Sequence, residues 1–204
     1  MDLLLSWVEK GGVVMYPLLF LSVVSWAVII ERAFALRLKN FLPPNLNEIK
    51  YLLKRGDYEG AYKIASIGRH PFLRALAVVL KEYLSGKKEK GYLLQLMEGE
   101  LGPMVPKVEK NLIILSTIAS VAPLLGLFGT ITGLIKVFSA FAFSLEEQAT
   151  QLLAKGISEA LVAAATGLAV AIPSLLAYWV FRAVGNHILD RLSEEATELV
   201  NLLE

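Results

Sequence analysis

The chain has 204 residues, 55% of them hydrophobic, a formal net charge of +1 and a mean hydropathy of +0.57. Near-neutrality gives no global field toward nucleic acid or other polyanions, and the absence of cysteine removes disulfides, thiolate metal sites and a cysteine nucleophile together. The two histidines, His70 and His187, lack metal-ligand spacing, so neither a metal nor a cofactor is expected.

The apolar residues are gathered in blocks. Gly11 to Ile30 holds no charge, and twenty residues at about 1.5 Å each reach about 30 Å, the thickness of a bilayer hydrocarbon core. Trp7, Tyr16 and Trp26 stand where amphipathic rings favour the membrane interfaces. A cleaved signal peptide fits poorly, because Asp2, Glu9 and Lys10 precede the run in place of a basic cluster and no A-x-A-like site follows.

Pro43-Pro44 ends the first long helix. Asn45 with Glu48 has the form of a capping box, and Ile49, Leu52 and Leu53 share one face of the helix that follows. Gly56 closes that helix and Asp57 caps the next. Pro71 opens a third at its first position, with Leu73, Leu76, Ala77 and Leu80 on the buried stripe and Gly86 at its end.

A second charge-free run extends from Asn111 to Ile135 and continues past Lys136 to Leu145; a third covers Ala160 to Phe181. Spans are expected at about 11–30, 112–143 and 160–181, in a single membrane domain with a helical loop over 31–110 and a helical tail over 182–204. In the tail, Val184, Ile188, Leu192, Ala196, Leu199 and Leu203 recur at spacings of three and four. No segment alternates with a period of two, so the expected fold is all-α, an integral membrane protein with three transmembrane helices and long cytoplasmic helical extensions. Glu31 to Lys110 carries 15 Lys/Arg against 9 Asp/Glu, while Ser144 to Glu159 carries only Lys155 against three glutamates. The positive-inside rule then puts the N-terminus in the periplasm and the large loop and C-terminus in the cytoplasm.

Within the second span Ala122, Gly126, Gly129 and Gly133 follow at spacings of four, three and four. They form a flat stripe on which a helix can approach closely, and Ala160, Ala163, Ala164, Gly167, Ala171 and Ser174 answer it in the third. Pro123 and Pro173 interrupt the two spans. Ser116, Thr117, Ser120, Thr130, Thr132, Glu159 and Thr166 exceed the polarity that lipid-facing helices need. Counting outward from a turn centred near Glu147 puts Thr130 level with Ala164 and Lys136 level with Glu159, which predicts an ion pair near the periplasmic side.

The stretch Ala122-Pro-Leu-Leu-Gly-Leu-Phe-Gly-Thr130-Ile-Thr-Gly133 resembles the span-two signature of the ExbB/TolQ/MotA proton-channel family. Gly156-Ile-Ser-Glu159-Ala-Leu-Val-Ala-Ala-Ala-Thr-Gly167-Leu-Ala-Val-Ala-Ile-Pro173 is similar to its span three. Tyr16-Pro-Leu-Leu-Phe-Leu-Ser-Val-Val with Ile30-Glu31-Arg32 fits the ExbB-like branch, whereas MotA has an extra span and its large loop between spans two and three.

The resemblance implies a bacterial inner-membrane proton-channel subunit. It forms a pentamer around transmembrane helices of an ExbD- or TolR-like partner that supplies a membrane aspartate, and drives a TonB- or TolA-like protein that spans the periplasm. Carried over by position, Thr130 matches the span-two pore threonine and Glu159 the span-three glutamate. The span-three threonine falls on Ala164, a departure. Thr166 is a further candidate for the proton path, although it lies two residues on, about 200° around the helix. A TolQ-type envelope-integrity motor and a non-conducting scaffold are the competing readings. An intramembrane enzyme is not supported, since no nucleophile–base pair or metal cluster is apparent.

Overall fold

The computed structural model describes residues 11–141 and 146–203; Asp2, Trp7, Glu9 and Lys10, and the 142–145 part of the connection between the second and third apolar runs, lie outside them. The described elements are helical throughout, in the order α1 (Met15–Ala35), a 3-10 turn (Leu38–Asn40), α2 (Leu46–Lys54), α3 (Tyr58–Ile67), α4 (Pro71–Leu84), α5 (Lys90–Leu101), a 3-10 turn (Gly102–Met104), α6 (Val105–Glu109), α7 (Leu112–Phe141) and α8 (Glu146–Asn201). The expected all-α class is what forms. Two units result, one from Met1–Arg32 with Asn111–Val180, the other from Ala33–Lys110 with Phe181–Glu204.

The first unit is apolar and built inside out relative to a water-soluble bundle. Phe20, Val23, Ile113, Leu124, Phe138 and Leu161 are each more than three-fifths exposed, while Ala122, Ala160, Ala163 and Ser174 are buried. In water that arrangement would forfeit about 25 cal/mol for every Å² of apolar surface left uncovered; acyl chains cover it without cost. Its three helices α1, α7 and α8 are long and apolar enough to cross a membrane. The chain is a multi-pass membrane protein. The expected third span and tail are one element: α8 runs 56 residues without a break, with Pro173 inside it, as Pro123 is inside α7. Glu147, expected at the centre of a turn, belongs to α8.

The second unit has an ordinary core, with Ile49, Phe72, Leu76, Leu80, Met97, Ile188 and Leu199 each under 2% exposed. Most of the expected α8 stripe is buried here; Val184 is the exception, at 37% exposure. Its caps are chemical where the sequence is specific. The Asp57 carboxylate accepts from the Gly60 N–H at 2.9 Å, Pro71 occupies the first turn of α4, and Gly56 and Gly86 take φ of 77° and 98° just past helix ends. Asn45 departs from the expected capping box: it precedes α2 but its side chain makes no cap bond. Lys50 Nζ lies 2.6 Å from Glu195 and 2.7 Å from Glu198, clamping α2 to α8.

His70 joins two elements of this unit. Its Nδ1 accepts from the Phe72 N–H at 3.2 Å, capping α4, and its Nε2 lies 3.3 Å from the Asn40 carbonyl. One ring nitrogen accepts while the other faces an acceptor only in the neutral Nε2–H tautomer. Burial pushes the imidazole below its ordinary value; the Asn40 carbonyl opposes this and Lys107 adds to it. A depressed folded-state value means that the His70 contribution is complete above the unfolded value of 6.5 and is lost as pH falls through the folded value. Replacing His70 by Ala is expected to cost ~1 kcal/mol at about pH 8 and to flatten the stability loss below pH 6.5, as read by thermal unfolding of the solubilised protein at both pH values.

Candidate functional site

The site is set by how closely α7 and α8 meet. A methyl group added at Gly167 would lie 2.6 Å from the Ala122 carbonyl oxygen, and one at Gly126 would lie 3.0 Å from the Ala163 carbonyl. At Gly129 it would lie 2.6 Å from the Ala163 methyl, and at Gly133 3.3 Å from that of Ala160. The five small residues expected to pack, Ala122, Gly126, Gly129, Gly133 and Gly167, therefore all lie on the seam, and Gly156 joins them by meeting Val137.

This register places the polar candidates. Lys136 Nζ donates to Glu159 Oε1 at 3.2 Å, with the lysine side chain 61% and the glutamate 23% exposed. Gly126 faces Ala164 and Gly133 faces Ala160, so Thr130 lies about one helical turn nearer the connection than Ala164, not level with it as counting from Glu147 suggests. Thr130, half-buried, donates its hydroxyl to the Leu127 carbonyl at 2.6 Å. Thr166 donates to the Val162 carbonyl at 2.8 Å. A hydroxyl that has spent its one proton this way still offers lone pairs, so both threonines are poised to accept from water or from a protonated acid. Ala164 is half-buried and brings only backbone to Gly126.

Three features of this unit join residues that no sequence pattern links. Ser25 and Ser174, both buried, share a 2.7 Å hydrogen bond between α1 and α8. Arg32 is buried beside Glu31, which also accepts from Asn111 Nδ2 at 3.2 Å. Asn111 takes φ of 60° at the start of α7, a conformation asparagine tolerates better than most residues. Finally, a cleft of about 310 Å³ runs between the start of α1 and α7, lined by Gly11, Val14, Leu125, Phe128, Lys136 and Glu159 among others. The glycines at 11 and 12 read as the plain start of an apolar run, and no sequence spacing links them to Glu159. Among the described residues no cluster of His, Cys, Asp and Glu has metal-binding geometry.

Comparison with known proteins bears on this geometry directly. A family model described as the MotA/TolQ/ExbB proton channel family matches residues 68–194, which takes in α7, Glu159 and the seam. The chain is 34% identical over 194 residues to the Tol-Pal system protein TolQ of Haemophilus influenzae, covering 87% of this chain and 82% of that one. It is 34% identical over 196 residues to an ExbB-like biopolymer transport protein of Synechocystis, covering 93% and 75%. It is also 31% identical over 206 residues to TolQ of Pseudomonas aeruginosa, covering 93% and 86%.

The seam yields a packing test. A side chain at Gly167 meets a backbone carbonyl, which cannot swing aside as a flexible side chain can. Gly167→Ala is expected to destabilise the protein by about 1–3 kcal/mol, read as a lowered Tm in detergent. Ala169→Gly, at an exposed position of the same helix, should cost no more than about 1 kcal/mol.

Proposed function

The chain belongs to the MotA/TolQ/ExbB proton channel family, and from that premise we propose that it is the channel-forming subunit of an inner-membrane motor that couples the proton motive force to work across the periplasm. In this reading the work is TonB-type outer-membrane uptake. Five copies surround transmembrane helices of an ExbD- or TolR-like partner that brings a membrane aspartate, and a TonB- or TolA-like protein carries the force. The excess of Lys and Arg over 31–110 supports a cytoplasmic loop and C-terminus with a periplasmic N-terminus.

The observation that carries the proposal is Glu159, a half-buried carboxylate in a largely apolar three-helix unit, held by Lys136 and lying within the family match. Ionisable groups at membrane depth are costly and mark ion routes. Glu159 exchanges the proton with water. Thr130 positions the next carrier rather than carrying the proton: its lone pair accepts a hydrogen bond from water or from the partner's protonated aspartic acid, while its own hydroxyl hydrogen stays donated to the Leu127 carbonyl. Thr166 is the second acceptor of the same kind, and Ala164 contributes no hydroxyl. The similarity to two TolQ proteins supports a second reading, a TolQ-type envelope-integrity motor. The partner that co-purifies decides between them.

Two measurements test the proposal. Native mass spectrometry from mild detergent is expected to show five copies of the chain, and a stable monomer in lipid nanodiscs would contradict the ring. In vesicles holding the full complex, Thr130→Val keeps the side-chain shape and removes the acceptor. Proton uptake is expected to fall roughly tenfold or more, with Thr130→Ser restoring it; unchanged uptake in an assembled Thr130→Val complex would remove Thr130 from the route.

A further inference from the structure

We propose that Gly12 is the positioning residue for Glu159: the missing side chain at Gly12 is the seat in which the carboxylate rests. Gly12 precedes α1, where its carbonyl accepts from the Met15 N–H at 3.1 Å, and it has φ of 71°. A Cβ built there runs into Glu159 Oε1, with Cδ at 3.0 Å and Cγ at 3.3 Å. The end of the glutamate side chain therefore lies over the Gly12 Cα. The oxygen that fills this seat, Oε1, is the one that Lys136 Nζ reaches at 3.2 Å. One oxygen is thus fixed between a backbone on α1's side and an ammonium on α7.

The surroundings make that fixation consequential. The cleft beside the carboxylate is lined by Val13, Val14, Pro17, Leu125 and Phe128, with Thr132 as a further polar group. A carboxylate displaced from the seat moves toward apolar walls, where a charge is poorly solvated. Any side chain at residue 12 forces that displacement, because the first atom it meets is the carboxylate itself. The positive φ alone would favour glycine, but asparagine enters that region too; what alanine and asparagine share is that each displaces the Glu159 carboxylate from its seat.

The inference rests on Glu159 belonging to the proton route, and the test separates the two. Proton uptake is measured in vesicles containing the full complex with its partner. Gly12→Ala and Gly12→Asn are each expected to lower uptake by about tenfold or more, as displacing a reacting group by an ångström does. In a Glu159→Asp background, one methylene shorter, the added loss from either change should shrink to about twofold or less; the same non-additivity should appear in the Tm of the solubilised complex. Full uptake in Gly12→Asn, or an equal loss from Gly12→Ala in both backgrounds, would overturn the proposal. Should Gly12→Ala fail to assemble, recovered assembly with Glu159→Asp supports the seat and continued failure overturns it. Wild-type uptake in Glu159→Gln would sink the proton-route reading instead, and the Tm coupling alone would then decide whether Gly12 seats Glu159.

Discussion

The near-contact of two backbones, α7 against α8, is the constraint from which the rest of the apolar unit follows. Lipid chains are as apolar as leucine, so two helices gain nothing in a bilayer by hiding hydrophobic side chains from each other. What remains is dispersion at short range, polarised Cα–H groups against carbonyl oxygens, and direct hydrogen bonds. Gly167 against the Ala122 carbonyl and Gly126 against the Ala163 carbonyl supply the first two. The Ser25–Ser174 bond supplies the third between α1 and α8. Because a side chain at most of these glycines would strike backbone or a β-carbon, this close approach requires the small residues where they stand. Their register brings Lys136 to Glu159.

The same economy governs the hydroxyls. Thr117, Ser120, Thr130, Thr132 and Thr166 each donate to a carbonyl three or four residues back on their own helix. Such a group crosses an apolar layer without needing a partner from another helix, so its presence in a span does not by itself reveal function. A carboxylate has no comparable internal solution, because it has no proton to give. Glu159 must find a donor elsewhere, and for that reason its partners say more about mechanism than those of any threonine.

How far the sequence discloses this depends on the range of the interaction. Local chemistry reads well: Asp57 and Gly60 are three residues apart, Pro71 needs only its own ring, and Gly56 and Gly86 need only their own φ. Small residues repeating at helical spacing disclose the seam, since period alone puts them on one face. Depth is read less well. A count from Glu147 starts inside α8, and the seam, with Gly126 facing Ala164, offsets Thr130 from Ala164 by about a turn. Lys136 and Glu159 nevertheless meet because both side chains are long enough to absorb the offset. Asn45 shows that a capping motif does not guarantee a cap. Gly12 stays illegible, since it reads as the plain start of an apolar run and the residue it accommodates is more than a hundred positions away.

The charges of the apolar unit gather at two levels, and their spacing explains why. Asn111 and Lys136 lie on one helical stretch, 25 residues apart in the sequence, or roughly 37 Å along it at about 1.5 Å per residue. A hydrocarbon core is about 30 Å thick. The Glu31, Arg32 and Asn111 group therefore falls at one edge of the apolar layer and the Lys136 and Glu159 pair at the other. Paired with Lys136 and partly exposed, the Glu159 carboxylate can offset the cost of its charge there and still trade protons with water. Thr130 precedes Lys136 by six residues, and since Gly133 faces Ala160 and Gly126 faces Ala164 it stands near the backbone level of Glu159, whose side chain reaches on to Lys136. Under the proposed function this divides the work by chemistry. Glu159 exchanges the proton with water, and Thr130, which stays neutral, offers a hydrogen-bond acceptor to the group that carries the proton next.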